Sequence, residues 1–166
     1  MHSRAGRADL LQGVPAVGEE APDFELVNQY GEPVRLSTLR GRNVALVFFP
    51  FAFSGICTGE LCEIRDNLAV FDDADATVLG ISVDSKFAQR AYAEKEGYSF
   101  DLLADFWPHG DVARAYGVFD DATGMALRGT FIIDAAGIVR YVVVNPRGQA
   151  RELAEYRAAL AGLGGS

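Results

Sequence analysis

Residues 50–62 read P-F-A-F-S-G-I-C-T-G-E-L-C and hold both cysteines of the chain, Cys57 and Cys62. The preceding residues 44–49 are a continuous apolar run of strand length, which suits a central strand buried on both faces. From Cys57 a helical period takes over. Cys57, Leu61, Ile64, Leu68 and Phe71 fall on one stripe, with Glu60, Glu63, Asp66 and Asn67 on the other side. The segment therefore predicts a buried strand, a turn and a helix that opens at a cysteine. A thiol there lies among unpaired backbone N–H groups at the positive end of the helix dipole. Both favour the thiolate, the reactive form. Cys57 is the candidate nucleophile.

Working outward, residues 23–27 and 33–36 alternate around a turn at Gly31, the pattern of a hairpin. Ser37 reads as the cap of a short helical turn ending at Gly41. Residues 77–83 form the next buried strand, and residues 87–97 a helix capped by Asp84 or Ser85 and stopped by Gly97. A strand over 100–103, a loop over 105–110 (D-F-W-P-H-G) and a short helix over 111–116 follow. Residues 127–134 and 138–144 pair through a tight turn, and residues 151–163 form a last helix. The strand–helix–strand units imply parallel strands with right-handed crossovers, and the closing pair adds antiparallel ones. The expected fold is α/β and thioredoxin-like: a mixed central sheet flanked by helices, with an N-terminal hairpin. Residues 1–16 read as a flexible extension and residues 17–163 as a single domain.

The net charge is −8, and no Lys/Arg cluster offsets it, which argues against nucleic acid. No apolar run approaches the ~20 residues of a membrane helix. The start carries basic residues but no long apolar stretch or small-residue cleavage site, so a cytoplasmic, thiol-reducing setting is expected. Two cysteines there are catalytic, redox-active or inert rather than a permanent bridge. With His2 and His109 they are too scattered for a zinc finger, and no metal or cofactor is expected. Neither histidine has the motif context of a cysteine protease. A thioredoxin-like disulfide oxidoreductase calls for C-x-x-C, whereas the spacing here is C-x4-C, with Glu60 three residues after Cys57.

Pro50, Ser54 and Cys57 together spell P-x-x-x-(S/T)-x-x-C, and residues 128–134 read R-G-T-F-I-I-D. These motifs resemble the active-site signature and the later Arg-containing strand of the peroxiredoxins. F-F-P-F-A-F-S-G-I-C-T-G-E-L, D-F-W-P-H-G and A-Y-G-V-F are most similar to the actinobacterial alkyl hydroperoxide reductase E type of that family. The similarity runs from about residue 18 to near the C-terminus. It implies a peroxidase that reduces hydrogen peroxide and organic hydroperoxides through Cys57 sulfenic acid, without a cofactor. It also implies a homodimer, with D-F-W-P-H-G at a dimer surface. The reductant class is a thioredoxin, a mycoredoxin or a low-molecular-weight thiol.

The residue types fit those roles. Pro50 lacks an N–H and shapes the turn over the thiol. The Ser54 hydroxyl can donate to the thiolate or to a peroxide oxygen, or simply cap the helix. Arg128 carries a permanent charge that would lower the thiol pKa and hold the peroxide. Glu60 either accepts a hydrogen bond near the site or favours the helix start by its charge. Phe51, Phe53 and Phe119 form an apolar collar or belong to the core. Trp107 and His109 line an entrance, a dimer surface or a structural loop.

Cys62 departs from the E type. C-x4-C instead resembles the bacterioferritin-comigratory, or Q-type, peroxiredoxins, and that likeness implies a resolving cysteine that forms a disulfide with Cys57. Five residues of helix rise roughly 7.5 Å and set the Cα atoms roughly 8–9 Å apart. That exceeds the ~7 Å reach of a disulfide, so the first turns must unwind if Cys62 resolves. The other reading leaves Cys62 inert and the protein a one-cysteine peroxidase or a peroxide sensor reduced by an external thiol.

Overall fold

A computed structural model of the chain describes residues 13–145 and 153–164, with the backbone alone for residues 56–58 and 164. Most of the N-terminal extension, and Arg151 at the start of the last helix, lie outside the described residues. In chain order the elements are a hairpin of β1 (Glu25–Val27) and β2 (Pro33–Arg35), a 3-10 turn (Leu36–Leu39), β3 (Asn43–Phe48), α1 (Gly55–Asp66), α2 (Leu68–Asp72) and β4 (Ala76–Ser82). Next come α3 (Lys86–Glu96), β5 (Asp101–Ala104), α4 (Asp111–Ala115), β6 (Phe119–Asp120), β7 (Met125–Ala126), β8 (Arg128–Ile133), β9 (Val139–Asn145) and α5 (Leu153–Gly164).

The sheet order is β5-β4-β3-β8-β9. β3 pairs parallel with β4 and antiparallel with β8, and β8 pairs antiparallel with β9. This is the mixed α/β sheet expected from the sequence. The apolar run of β3 explains its central place: Val44, Leu46 and Phe48 enter one core cluster, and Ala45, Val47 and Phe49 the other. The period-two alternation of a strand thus feeds both layers. The first cluster takes in Phe24, Leu36, Val112 of α4 and Tyr116 just past its end. The second takes in Leu61 and Ile64 of α1, Phe71 of α2, Tyr92 of α3 and Tyr156 of α5.

The Cys57–Phe71 stripe is divided. Helix α1 ends at a cap residue, Asn67, with φ −125° and ψ 30°, and α2 restarts at Leu68. Ser37 does not cap its turn; its N–H donates to the Asp23 carboxylate at 2.9 Å, so the cap comes from upstream. Ser85 caps α3, its Oγ accepting the Ala88 N–H, and Gly97 ends that helix at φ 73°. The N–H groups of Val112 and Ala113 donate to the buried Asp105 carboxylate at 3.0 and 2.9 Å, tying α4 to the end of β5. The β6–β7 pair was not anticipated; two-residue strands show no period to read.

Candidate active site

The site is built where β3 leaves the sheet. Phe49 extends the strand by donating its N–H to the Ile81 carbonyl at 3.0 Å. Pro50 follows, buried and without a donor. Ala52 donates its N–H to Asp84 Oδ2 at 2.8 Å. Phe53 then takes φ 70°, the left-handed region that non-glycine residues seldom occupy, and sets its ring 4.9 Å from that of Tyr92. Ser54 returns to extended backbone as the N-cap of α1.

The helix begins at Gly55, two residues ahead of the expected start, because the apolar stripe marks the buried face and not the cap. Cys57 is the third helical residue. Its N–H still belongs to the first-turn donors that have no partner within the helix. The Cys57 side chain lies outside the described residues.

The Ser54 hydroxyl does not cap the helix. Its Oγ is buried and has no hydrogen-bond partner among the described residues. An N-cap serine ordinarily accepts an N–H of the first turn. Leaving a buried polar group unpaired costs about 1–3 kcal/mol.

Arg128 opens β8. Gly129 pairs with Phe48, so Arg128 lies beside the end of β3, where the chain turns into Pro50. Its Nη1 donates to Glu60 Oε1 at 2.8 Å, and the two side chains are only 4% and 6% exposed. The Arg128 Nε is buried and has no partner among the described residues. Glu60 is thus not on a solvated face, where the helical period put it. It turns inward because a cation waits there, and burying either charge alone would be costly.

Cys62 is a free, half-buried thiol on a different side of α1 from Glu60, against the end of α3. Its Sγ donates to Glu96 Oε1 at 3.5 Å and lies 3.4 Å from the Tyr98 hydroxyl. Arg65 Nη1 donates to the Glu96 carbonyl, which closes the end of α3 over this cluster. Burial pushes the Tyr98 hydroxyl up from its ordinary pKa, so it stays protonated.

Of the aromatic candidates, Phe51 and Phe53 are 38% and 51% exposed beside the loop and do not belong to the core. Phe119 is set apart from them: it packs on the first core cluster, with the Arg114 guanidinium 4.1 Å from its ring. Trp107 stands 80% exposed in the loop after β5. His109 braces that loop through Nε2 and the Gly124 carbonyl at 2.7 Å, a structural role. Sequence reading missed Asp84 as a support of the loop, having placed it only as a helix cap, and missed Glu96 and Tyr98 around Cys62.

The AhpC/TSA family model matches residues 17–142. The chain belongs to this peroxiredoxin family. It is 47% identical over 148 residues to alkyl hydroperoxide reductase E of Mycobacterium tuberculosis, covering 89% of this chain and 97% of the relative. It is 36% identical over 146 residues to mouse peroxiredoxin-2, covering 82% and 73% of the two chains. The crystal structure of peroxidoxin BcpB from Mycobacterium tuberculosis superposes with a TM-score of 0.81 at 32% identity, over 90% of this chain and 98% of that one. This peroxiredoxin is a thiol-dependent peroxidase, an oxidoreductase acting on peroxide. Its mixed sheet is the thioredoxin-like one of those relatives. Among the described residues no helix is long and apolar enough to cross a membrane.

Proposed function

We propose that Cys57 is the peroxide-reacting thiol and that this peroxiredoxin reduces hydrogen peroxide and alkyl hydroperoxides. The observation that carries the reading is a pair of buried donors without hydrogen-bond partners among the described residues, Ser54 Oγ at the N-cap of α1 and Arg128 Nε beside the end of β3. The Cys57 thiolate attacks one peroxide oxygen and the O–O bond breaks. The departing oxygen gathers charge and leaves, with a proton, as water or alcohol. Donors already aimed at that oxygen lower the barrier, each by roughly 3–4 kcal/mol by analogy with oxyanion holes. Cys57 is left as sulfenic acid. The exposed rings of Phe51 and Phe53 suit the organic end of an alkyl hydroperoxide.

Cys62 then resolves the sulfenic acid. Its thiol loses a proton, its sulfur bonds to that of Cys57, and the sulfenic oxygen leaves as water. The helix supports a division of labour for this step. From Glu60 onward α1 is anchored by Arg128 and by Leu61 and Ile64, which are 0% and 2% exposed. Ahead of it, Gly55 and Gly59 face open space. Unwinding the first turns up to Gly59 would bring Cys57 to Cys62. A thioredoxin, a mycoredoxin or a low-molecular-weight thiol reduces the disulfide. A cytoplasmic setting suits a thiol that must return to its reduced form. The loop bearing exposed Phe106 and Trp107 suits the interface of a homodimer.

A second reading leaves Cys62 inert, making a one-cysteine peroxidase or peroxide sensor reduced from outside. The contacts of Cys62 with Glu96 and Tyr98 favour it, because they hold the thiol at the end of α3. Stopped-flow oxidation by hydrogen peroxide and by a bulky alkyl hydroperoxide tests the main proposal. Rapid reaction of the wild type, lost in Cys57→Ser and kept in Cys62→Ser, is the expected result. Full reactivity in Cys57→Ser would sink it.

A further inference from the structure

The Asp84 carboxylate is not used where the sequence placed it. Ser85 caps α3, and Asp84 turns back to the loop ahead of Cys57. One oxygen, Oδ2, accepts both the Ala52 N–H at 2.8 Å and the Ser82 hydroxyl at 2.6 Å. Ser82 is itself fixed: its buried Oγ accepts from Gln89 Nε2 at 3.0 Å. The same Nε2 donates to the Leu103 carbonyl at 2.7 Å, and Gln89 is fully buried. A hydrogen-bonded relay, buried at Gln89 and Ser82 and half-buried at Asp84, therefore runs from β5 through α3 and β4 to the backbone two residues before Ser54.

That stretch of backbone needs support. Pro50 offers no N–H. Phe53 holds a left-handed φ of 70°, a strain of about 1–3 kcal/mol that persists only where the surroundings enforce it. The Ala52–Asp84 bond on one side and the Tyr92 ring on the other supply the enforcement.

We infer that Asp84 is a positioning residue for the peroxide site, fixing through Ala52 the kink that sets the direction of the Ser54 hydroxyl. The inference rests on the reading of Ser54 and Cys57 as the reacting pair. Among the described residues the Asp84 carboxylate bonds Ala52 and Ser82 and not Ser54; it acts by holding the loop. The requirement is an acceptor rather than a charge, so Asp84→Asn, whose amide oxygen can take both hydrogens, should serve almost as well.

The test is the rate of Cys57 oxidation by hydrogen peroxide in Asp84→Ala, Asp84→Asn, Ser54→Ala and the Asp84→Ala/Ser54→Ala double variant. Asp84→Ala is expected to slow oxidation about tenfold and Asp84→Asn less than about threefold. Because Asp84 acts through Ser54, adding Ser54→Ala to Asp84→Ala should cost clearly less than Ser54→Ala costs alone. A merely structural role would give additive losses. Additive losses, a full rate in Asp84→Ala, or equal damage from Asp84→Asn and Asp84→Ala overturns the inference. A full rate in Ser54→Ala overturns instead the site reading beneath it. If Asp84→Ala does not fold, Ser82→Ala, which frees the carboxylate but leaves the acceptor, should slow oxidation about threefold; an unchanged rate is then the contrary result.

Discussion

Arg128 donates to Glu60 at 2.8 Å across the junction of β8 and α1, with both side chains almost wholly buried. The pair locks the second turn of the helix to the sheet and parks a cation beside the end of β3. Removing the Glu60 carboxylate leaves the Arg128 cation buried without that ion-pair partner. Glu60→Ala is therefore expected to lower the urea unfolding free energy by about 3–5 kcal/mol. Glu60→Gln, which can still accept a hydrogen bond, should lose less. Equal stability of Glu60→Ala and wild type would contradict this role.

Ser54 should behave in the opposite way. Its hydroxyl is buried with no hydrogen-bond partner among the described residues, so deleting it removes no bond described there. Ser54→Ala is expected to keep or slightly raise stability, within about 0.5 kcal/mol, while slowing peroxide reduction by about 10²-fold. Chemical unfolding and stopped-flow kinetics on the same sample separate the two. A large loss of stability would show that the hydroxyl is structural.

In the proposed resolving step, Cys62 gives up its contacts with Tyr98 and Glu96 as Cys57 is brought to it. Tyr98→Phe deletes one of those contacts, whose net worth is about 0.5–1.5 kcal/mol. Disulfide closure after peroxide should then quicken about threefold, by quenched-flow mass analysis, with the first oxidation step unchanged. Slower closure would mean that Tyr98 assists the reaction.

Asp105 carries a pH signature. Burial pushes its carboxyl up to about 6, against the lowering pull of the Val112 and Ala113 N–H groups. The folded protein thus binds this proton more tightly than the unfolded chain does. The stability this group contributes is full below the ordinary carboxylate range and is lost as pH rises through about 6. The Asp105 carboxyl carbon, followed by NMR, should titrate near the upper end of that window. A midpoint at or below the ordinary value would refute it.

Much of this architecture is legible in the sequence where the physics is local. The run that became β3 is apolar at every position because both faces are covered, and Ser85 and Gly97 bound α3 by cap chemistry alone. Pro50, Ser54 and Cys57 are read together because one turn holds them. What escaped reading depends on distance along the chain. The burial of Glu60 depends on a partner 68 residues away, and the support of Ala52 on a carboxylate 32 residues away. The start of α1 was misplaced because an apolar stripe reports which face is buried, not where the backbone turns. Phe53 looked equally like core or collar, and only its exposure beside Tyr92 separates the two.

The central claim is that one helix carries both halves of the redox cycle, with Cys57 reacting and Cys62 resolving. Intact mass after one equivalent of hydrogen peroxide tests it most directly. The wild type should lose about 2 Da, as two thiols become one disulfide. Cys62→Ser should instead gain about 16 Da as sulfenic acid. A wild type that gains oxygen and keeps Cys62 as a free thiol would contradict the account.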